Sequence, residues 1–127
     1  MSDPAQFNGP WVGETIGGDA PAHLWEITLF GEHLSIDTRW EGLTNRDLLS
    51  GKLVEGEPAF NLDRYAKLAV LVDPQHFVII GWDSKHATTL DAALDVVFSR
   101  PGVAELSAHD AYRRFRENYA YHDANHV

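Results

Sequence analysis

The sequence predicts an α+β fold: a curved antiparallel β-meander of about seven strands, barrel-like if its edges meet, with two C-terminal amphipathic helices packed on it. Three observations carry this prediction. One long hairpin separates an apolar face from a polar face, a later hairpin is apolar on both faces, and helical apolar spacing follows. We expect a single domain over 1–127, with a loose lead-in over 1–10, the meander over 11–82 and the helical part over 88–122.

The first hairpin, His23–Trp40, turns at Gly31-Glu32, a two-residue loop with glycine first that suits a type II′ turn. On its apolar face this register makes the pairs Leu29–Leu34, Ile27–Ile36, Trp25–Thr38 and His23–Trp40. The other face carries Glu26, Thr28, Phe30, His33, Ser35, Asp37 and Arg39, with Leu24. A slip of one residue would destroy this separation, so the register is strongly specified.

A short strand over Trp11–Ile16 precedes this hairpin, and a second hairpin follows around Glu55-Gly56. In the second hairpin Phe60 is expected opposite Gly51, where its ring covers a position without a side chain. Pro58 has no backbone donor, which predicts that this hairpin lies at a sheet edge.

The third hairpin joins Lys67–Asp73 to His76–Trp82 through a turn with proline at its second position. The two expected faces are both apolar, one with Leu68, Val70, Val72, Phe77 and Ile79, the other with Ala69, Leu71, Val78, Ile80 and Trp82. A strand pair of this kind is buried on both sides, so we place it centrally.

Two helices are predicted to pack on the third hairpin and bury its exposed apolar face. Thr88–Asp91 has the pattern of a capping box, apolar residues follow at helical spacing to Phe98, and Arg100–Gly102 stops the helix. Ser107–Asp110 repeats the capping pattern. The apolar stripe of the second helix is Ala108, Tyr112, Phe115, Tyr119 and His122.

The composition of the chain limits the classes of function that it can have. The net charge of −9 disfavours binding to a nucleic-acid backbone, and acids spread along the chain suit either a solvated surface or a basic partner. The chain has no cysteine, which excludes thiolate chemistry, and no nucleotide-binding or nucleophile motif, so we expect no cofactor. Without an apolar run long enough for a membrane helix or an N-terminal export signal, a soluble, cytoplasmic protein is expected, with no membrane partner.

Two histidine patterns are considered as sites and set aside. Asp-x-x-His occurs as Asp73–His76 and Asp83–His86, but these lie at opposite ends of the third hairpin, and Asp73 is expected to cap its own turn. His122 and His126 have the spacing of metal ligands on a helix, yet they lie near the end of the chain and lack a third ligand.

The polar face of the first hairpin offers another candidate. Glu26 and Asp37 face each other, Arg39 is one diagonal step from Glu26, and His33 lies at the turn end. If this face lines a cavity, Glu26, His33 and Asp37 are candidate catalytic groups, and Glu26, Asp37 and Arg39 are candidate binding groups. If it faces solvent, these residues form a salt-bridged exterior.

The tryptophans are the main lead toward binding. Large aromatic side chains line ligand pockets and interfaces as well as cores, so Trp11, Trp25 and Trp40 are candidate binding residues. Gly9-Pro10-Trp11 resembles the G-x-W that opens the first strand of lipocalin-type barrels. The resemblance covers three residues, and it implies eight strands where this sequence indicates about seven, with two helices instead of one.

Three function classes follow, in this order. The first is a non-catalytic protein that docks a macromolecular partner, as small acidic inhibitors and immunity proteins do. The second is a carrier or sensor whose apolar cavity is lined by Trp11, Trp25, Ile27, Leu34, Ile36, Trp40 and Phe60. The third is a cofactor-free enzyme that uses Glu26, Asp37 and His33. An open sheet edge would also allow a homodimer.

Overall fold

Within the residues that the structure describes, eight antiparallel strands follow one another along the chain and close into a barrel in the computed structural model. The described residues are 4–15, 21–63, 67–81 and 94–124, without the side chains of residues 4, 94–95 and 118–124. The strands are β1 Gly9–Thr15, β2 His23–Phe30, β3 His33–Trp40, β4 Arg46–Leu53, β5 Ala59–Leu62, β6 Lys67–Asp73, β7 His76–Gly81 and β8 Leu94–Ser99. Pairing of β1 with β8 closes the sheet, so the first and last strands do not form an open edge that a second chain could extend.

The eighth strand replaces the first predicted helix. Leu94–Ser99 is extended and pairs with both β1 and β7, so the helix predicted to end at Phe98 is wrong. A short apolar run has the spacing of either element, and here Val96 and Phe98 face the interior while Val97 faces outward, the alternation of a strand. The proposed capping box Thr88–Asp91 lies outside the described residues.

A single α-helix, α1 (Ala108–Ala124), lies in the described part of the chain, instead of the two that were predicted. Its start agrees with the sequence: the amide of Asp110 donates to Oγ of Ser107 over 3.1 Å. The helix packs on the outer face of β6, β7 and β8, so the prediction of a C-terminal helix on the central hairpin is confirmed.

The first hairpin has the predicted register throughout, from His23 opposite Trp40 to Phe30 opposite His33. Gly31 has φ +65°, while Glu32 stays at negative φ, as a type II′ turn requires. The register confirms that one face of this hairpin lies in the core and the other faces outward.

The second hairpin is shifted by two residues from its predicted register. Leu53 pairs with Phe60 and Gly51 with Leu62, because the loop before β5 is longer than two residues. A shift of two residues keeps every side chain on its expected face. The Phe60 ring still lies against Gly51, because a Cβ on Gly51 would be 2.9 Å from that ring. Pro58 is not at a sheet edge: it lies in this loop, where its carbonyl accepts the amide of Leu71 over 2.8 Å.

The third hairpin contains a bulge between Leu71 and Asp73, so Leu71, not Val72, lies opposite Phe77. The extra residue exchanges the predicted faces of β7. Side chains directed inward are Ala69, Leu71, Phe77 and Ile79, and those directed outward are Leu68, Val70, Val72, Val78 and Ile80. Both sets are buried, which confirms the prediction of a hairpin covered on both sides.

Two cores result from this arrangement. The first fills the barrel with Phe7, Trp11, Trp25, Ile27, Leu34, Ile36, Phe60, Leu62, Ala69, Leu71, Phe77, Ile79 and Phe98. The second lies between the barrel and α1 and includes Val70, Val78, Val97, Ala111 and Phe115. The barrel interior is therefore separated from the helix by the sheet itself.

The N-terminal segment closes one end of the barrel. Pro4–Phe7 forms a 3₁₀ turn where the sequence indicated no regular structure, and Phe7 is fully buried. Its ring makes edge contacts with Phe60 at 4.8 Å and Phe77 at 5.6 Å, while its carbonyl accepts Nε1–H of Trp11 over 2.8 Å. This closed end lies beside the Gly31 turn, so any internal space must open at the other end.

Candidate functional site

A cavity of about 890 Å³, here called the mouth cavity, opens at the end of the barrel opposite the 3₁₀ turn. The described residues that line it come from all eight strands and from the β3–β4 loop: Thr15, His23, Trp25, Thr38, Arg39, Trp40, Leu43, Asn45, Arg46, Asp47, Leu49, Leu62, Lys67, Ile79, Val96 and Phe98. The volume is within the usual range for a pocket that holds a small molecule.

Aromatic rings form the inner end of this cavity. Trp25 and Phe98 have centroids 4.4 Å apart, and Phe98 stacks on Phe77 at 4.5 Å with an interplanar angle of 8°. Gly13 allows this packing, because a Cβ there would lie 2.5 Å from the Phe98 ring. The half of the barrel below these rings is filled with side chains, so the free volume is confined to the mouth.

His23 is a partly buried polar group in the wall of the cavity. Its Nε2 lies 3.2 Å from Oγ1 of Thr15, and its ring centroid lies 4.2 Å from that of Trp40. Burial holds the pKa of His23 below its ordinary value because desolvation penalises the charged form. The imidazole is therefore neutral at neutral pH, and its ring packs as part of an aromatic wall.

Charged side chains are placed around the rim. Arg39 and Arg46 face each other at the ends of β3 and β4, and Lys67 begins β6. Asp47 is the one carboxylate among the described lining residues. The cavity thus combines an apolar inner end with a charged entrance.

The three tryptophans predicted to bind have different positions. Trp25 lies at the inner end of the mouth cavity and Trp40, 39% exposed, at its rim, so both line it as predicted. Trp11 is buried at the closed end and does not line it. The other predicted lining residues, Ile27, Leu34, Ile36 and Phe60, belong to the packed core beneath and do not line the mouth cavity either. The sequence predicted which side chains point inward, but not which half of the barrel stays open.

Glu26, His33 and Asp37 lie on the outside of the barrel. Glu26 and Asp37 are directly opposite each other, as predicted, but Asp37 contacts Nη1 of Arg46 over 3.2 Å. His33 lies four residues from Asp37 along β3, roughly 13 Å away, near Glu32 at 3.9 Å. These three side chains therefore do not converge on one point, while Glu26, Asp37 and Arg39 border a shallow outer groove of about 420 Å³.

Asp73 and His76 form a structural contact at the β6–β7 turn. The Asp73 carboxylate accepts the amide of Gln75 over 2.8 Å, as expected for an aspartate that caps its own turn, and also contacts Arg114 of α1. His76 Nδ1 lies 2.8 Å from Asp73, and its Nε2 lies 3.0 Å from the Ala104 carbonyl. The cluster joins α1 and the segment before it to the barrel.

The structure does not describe the other histidine candidates. Asp83, His86 and His126 lie outside the described residues, as does the side chain of His122. Among the described side chains, no group of three or more residues is arranged to hold a metal ion.

Several cavity residues were not singled out from the sequence. Lys67 is the clearest of these residues, because the alternation of side chains along its strand already indicates its direction. It alternates with Ala69 and Leu71, which both point inward. Leu43 and Asn45 lie in the β3–β4 loop, and no periodic pattern indicates which way such residues face.

Comparison with known proteins does not assign the chain to a group: no protein-family model matches it, and no curated protein matches it significantly. None of the described helices has the length and apolar character to cross a membrane.

Proposed function

We propose that this protein binds a small, largely apolar molecule in the mouth cavity. The observation that carries the proposal is the uneven filling of the barrel: aromatic side chains pack one half, while about 890 Å³ remains free in the other. A well-packed protein of this size gains stability by filling its interior, so a free volume bordered by apolar walls favours a binding role.

The wall of the mouth cavity has the composition of a ligand site. Trp25, Phe98, Ile79 and Val96 supply apolar surface, and His23 and the rim residues supply a small number of polar groups. Ligand pockets have this combination, since apolar contacts provide affinity and a few polar contacts fix orientation. Among the classes that the sequence indicated, ligand binding therefore now ranks above partner docking.

A steric block tests the proposal. Leu49 points into the cavity from β4, while its neighbour Leu48 is on the outer surface and 65% exposed. Leu49→Trp should fill the cavity and weaken binding of the neutral dye N-phenylnaphthylamine about tenfold or more, measured by the fluorescence of the dye. Leu48→Trp adds the same side chain to the same strand and should leave dye binding unchanged.

Native mass spectrometry of protein captured gently from its host at low salt provides the second test. An added small mass that is present in the wild type and absent from Leu49→Trp would support the proposal and identify the ligand. A protein that carries no small molecule and binds no dye, or a Leu49→Trp variant that binds dye as the wild type does, would contradict it.

Partner docking, as inhibitor- or immunity-type proteins do it, remains a second proposal, favoured by one observation. In the part of the chain that the structure describes, α1 packs on β6, β7 and β8, while the outer face of β2, β3 and β4 exposes Leu48 and Phe30, which is 57% exposed, beside Glu26 and Asp37. Apolar side chains with an acidic border suit a basic protein partner. A stoichiometric protein adduct that is lost on charge reversal at Glu26 and Asp37 would support this second proposal.

A further inference from the structure

Among the described residues, the lining of the mouth cavity has a charge opposite to that of the whole chain. The protein has a net charge of −9, yet its cavity lining contains three cations, Arg39, Arg46 and Lys67, and one carboxylate, Asp47, among the described residues. The chain has only ten lysines and arginines in total. A local positive field at the entrance of an acidic protein attracts anions toward that entrance.

The register of β3 and β4 adds an independent observation. Arg39 lies directly opposite Arg46, an arrangement of like charges that destabilises a strand pair. Arg46 is compensated by Asp37, with Nη1 and Oδ2 3.2 Å apart. No ion pair to Arg39 forms within the part of the chain that the structure describes. An anion bound at the rim would relieve this repulsion.

Lys67 brings a third cation to the cavity from β6, which is separated from β4 by β5. It occupies an inward position of β6, aligned with Leu62 on β5 and Gly81 on β7. The next inward positions on this strand, Ala69 and Leu71, belong to the interior core. Lys67 is half-buried and carries a charge where the strand pattern otherwise places apolar side chains.

These observations, together with the aromatic inner end of the cavity, define the chemistry of a ligand. We infer that the ligand is an amphipathic organic anion whose apolar body contacts Trp25 and Phe98 and whose acidic group is held at the rim by Arg39 and Lys67. The inference rests on the proposed function and adds the ligand class. Charge-assisted hydrogen bonds from arginine and lysine to a carboxylate or sulfonate provide the affinity and the orientation.

Two dyes of similar shape separate the charge from the apolar body. Anilinonaphthalene sulfonate and N-phenylnaphthylamine share their ring systems, but only the first is an anion. We expect the anion to bind about tenfold more tightly at low salt, and added sodium chloride to reduce this preference. Arg39→Gln and Lys67→Gln should each weaken binding of the anion several-fold, and clearly more than they change binding of the neutral dye.

A matched lysine serves as the control. Lys52 lies on the outside of β4, with its Nζ 3.8 Å from Glu32, and is remote from the mouth cavity. Lys52→Gln removes the same charge and should change neither dye. Arg39 is exposed, so its variant tests the inference even if Lys67→Gln fails to fold.

The outcomes distinguish the two proposals. If both dyes bind equally and Arg39→Gln has no effect, the anion inference is wrong and ligand binding stands. If neither dye binds to the folded wild type, the proposed function fails and the inference fails with it. A preference for the anion that Lys52→Gln reduces as much as Arg39→Gln does would indicate a general charge effect and overturn the inference.

Discussion

The guanidinium carbon of Arg100 lies 3.9 Å from the centroid of the Trp11 ring, and this contact joins the segment after β8 to β1. The same guanidinium donates to the carbonyls of Gln6, Asn8 and Pro10 over 2.5–3.0 Å. Burial lowers the pKa of Arg100 from its ordinary value, but the group remains charged at any physiological pH. One side chain thus connects the two ends of the barrel sheet and the N-terminal turn that closes it.

Replacing Arg100 should destabilise the closed end. In Arg100→Met three carbonyls lose a donor and Trp11 loses its cationic cover, so we expect the free energy of unfolding to fall by about 2–4 kcal/mol. Urea denaturation followed by tryptophan fluorescence measures this loss. Arg113→Met is the control, because Arg113 is an exposed helix residue paired with Glu117, and its removal should cost under about 1 kcal/mol. Equal effects of the two substitutions would contradict the structural role of Arg100.

Gly13 should be intolerant of a side chain. A Cβ would lie 2.5–2.8 Å from three atoms of the Phe98 ring, so Gly13→Ala should lower the free energy of unfolding by about 1–3 kcal/mol. The cause can be checked with a double-mutant cycle, since Phe98→Leu removes the ring that the alanine meets. We expect Gly13→Ala to cost less in the Phe98→Leu background. A cost that is the same in both backgrounds would show that the clash is not its source.

The Asp73 carboxylate should hold α1 on the barrel. Asp73→Asn removes the charge that contacts Arg114 and His76, and leaves both groups with a weaker acceptor. We expect a loss of about 2–4 kcal/mol in the free energy of unfolding, accompanied by faster amide hydrogen exchange in α1 than in the strands. Glu117→Gln, at an exposed ion pair on the same helix, should change neither quantity appreciably. Unchanged exchange in α1 of the Asp73→Asn variant would argue against this role.

His23 should make the fold sensitive to mild acid. Its pKa is lower in the folded protein than in the unfolded chain, so the unfolded chain binds more protons as the pH falls below about 6.5. The stability contribution of neutral His23 is fully present above that pH and is lost as the pH falls through the lowered pKa. Denaturation of the wild type and His23→Gln at neutral pH and at about pH 5 should show a smaller acid-induced loss in the variant.

Glu14 should have the opposite effect. Burial raises its pKa above the ordinary 4.5, with smaller contributions from Glu105 and Glu41, so the folded state takes up the proton first as the pH falls. Protonation of Glu14 therefore adds stability on acidification, and Glu14→Gln should remove this gain. If His23→Gln and Glu14→Gln change the pH dependence in the same direction, one of these two assignments is wrong.

Local sequence patterns predicted the parts of the fold that depend on adjacent strands. The register of the first hairpin follows from alternation over eight residues a side and from the Gly31 turn, and both are local properties. The start of α1 follows from the Ser107 cap for the same reason. The predicted faces of β7 were wrong because a bulge of one residue has no reliable signature in the sequence.

The amino-acid sequence by itself determined the antiparallel meander, the inward direction of Trp25 and Trp40, and a C-terminal helix over the central hairpin. Only the tertiary structure decided that Leu94–Ser99 is a strand and that the sheet closes, since both depend on pairing between β1 and β8, which are more than eighty residues apart. It also decided where the free volume lies. Phe7 and Trp11 occupy one end of the barrel through contacts distant in the chain, and the other end is left to Trp25, His23 and the rim cations.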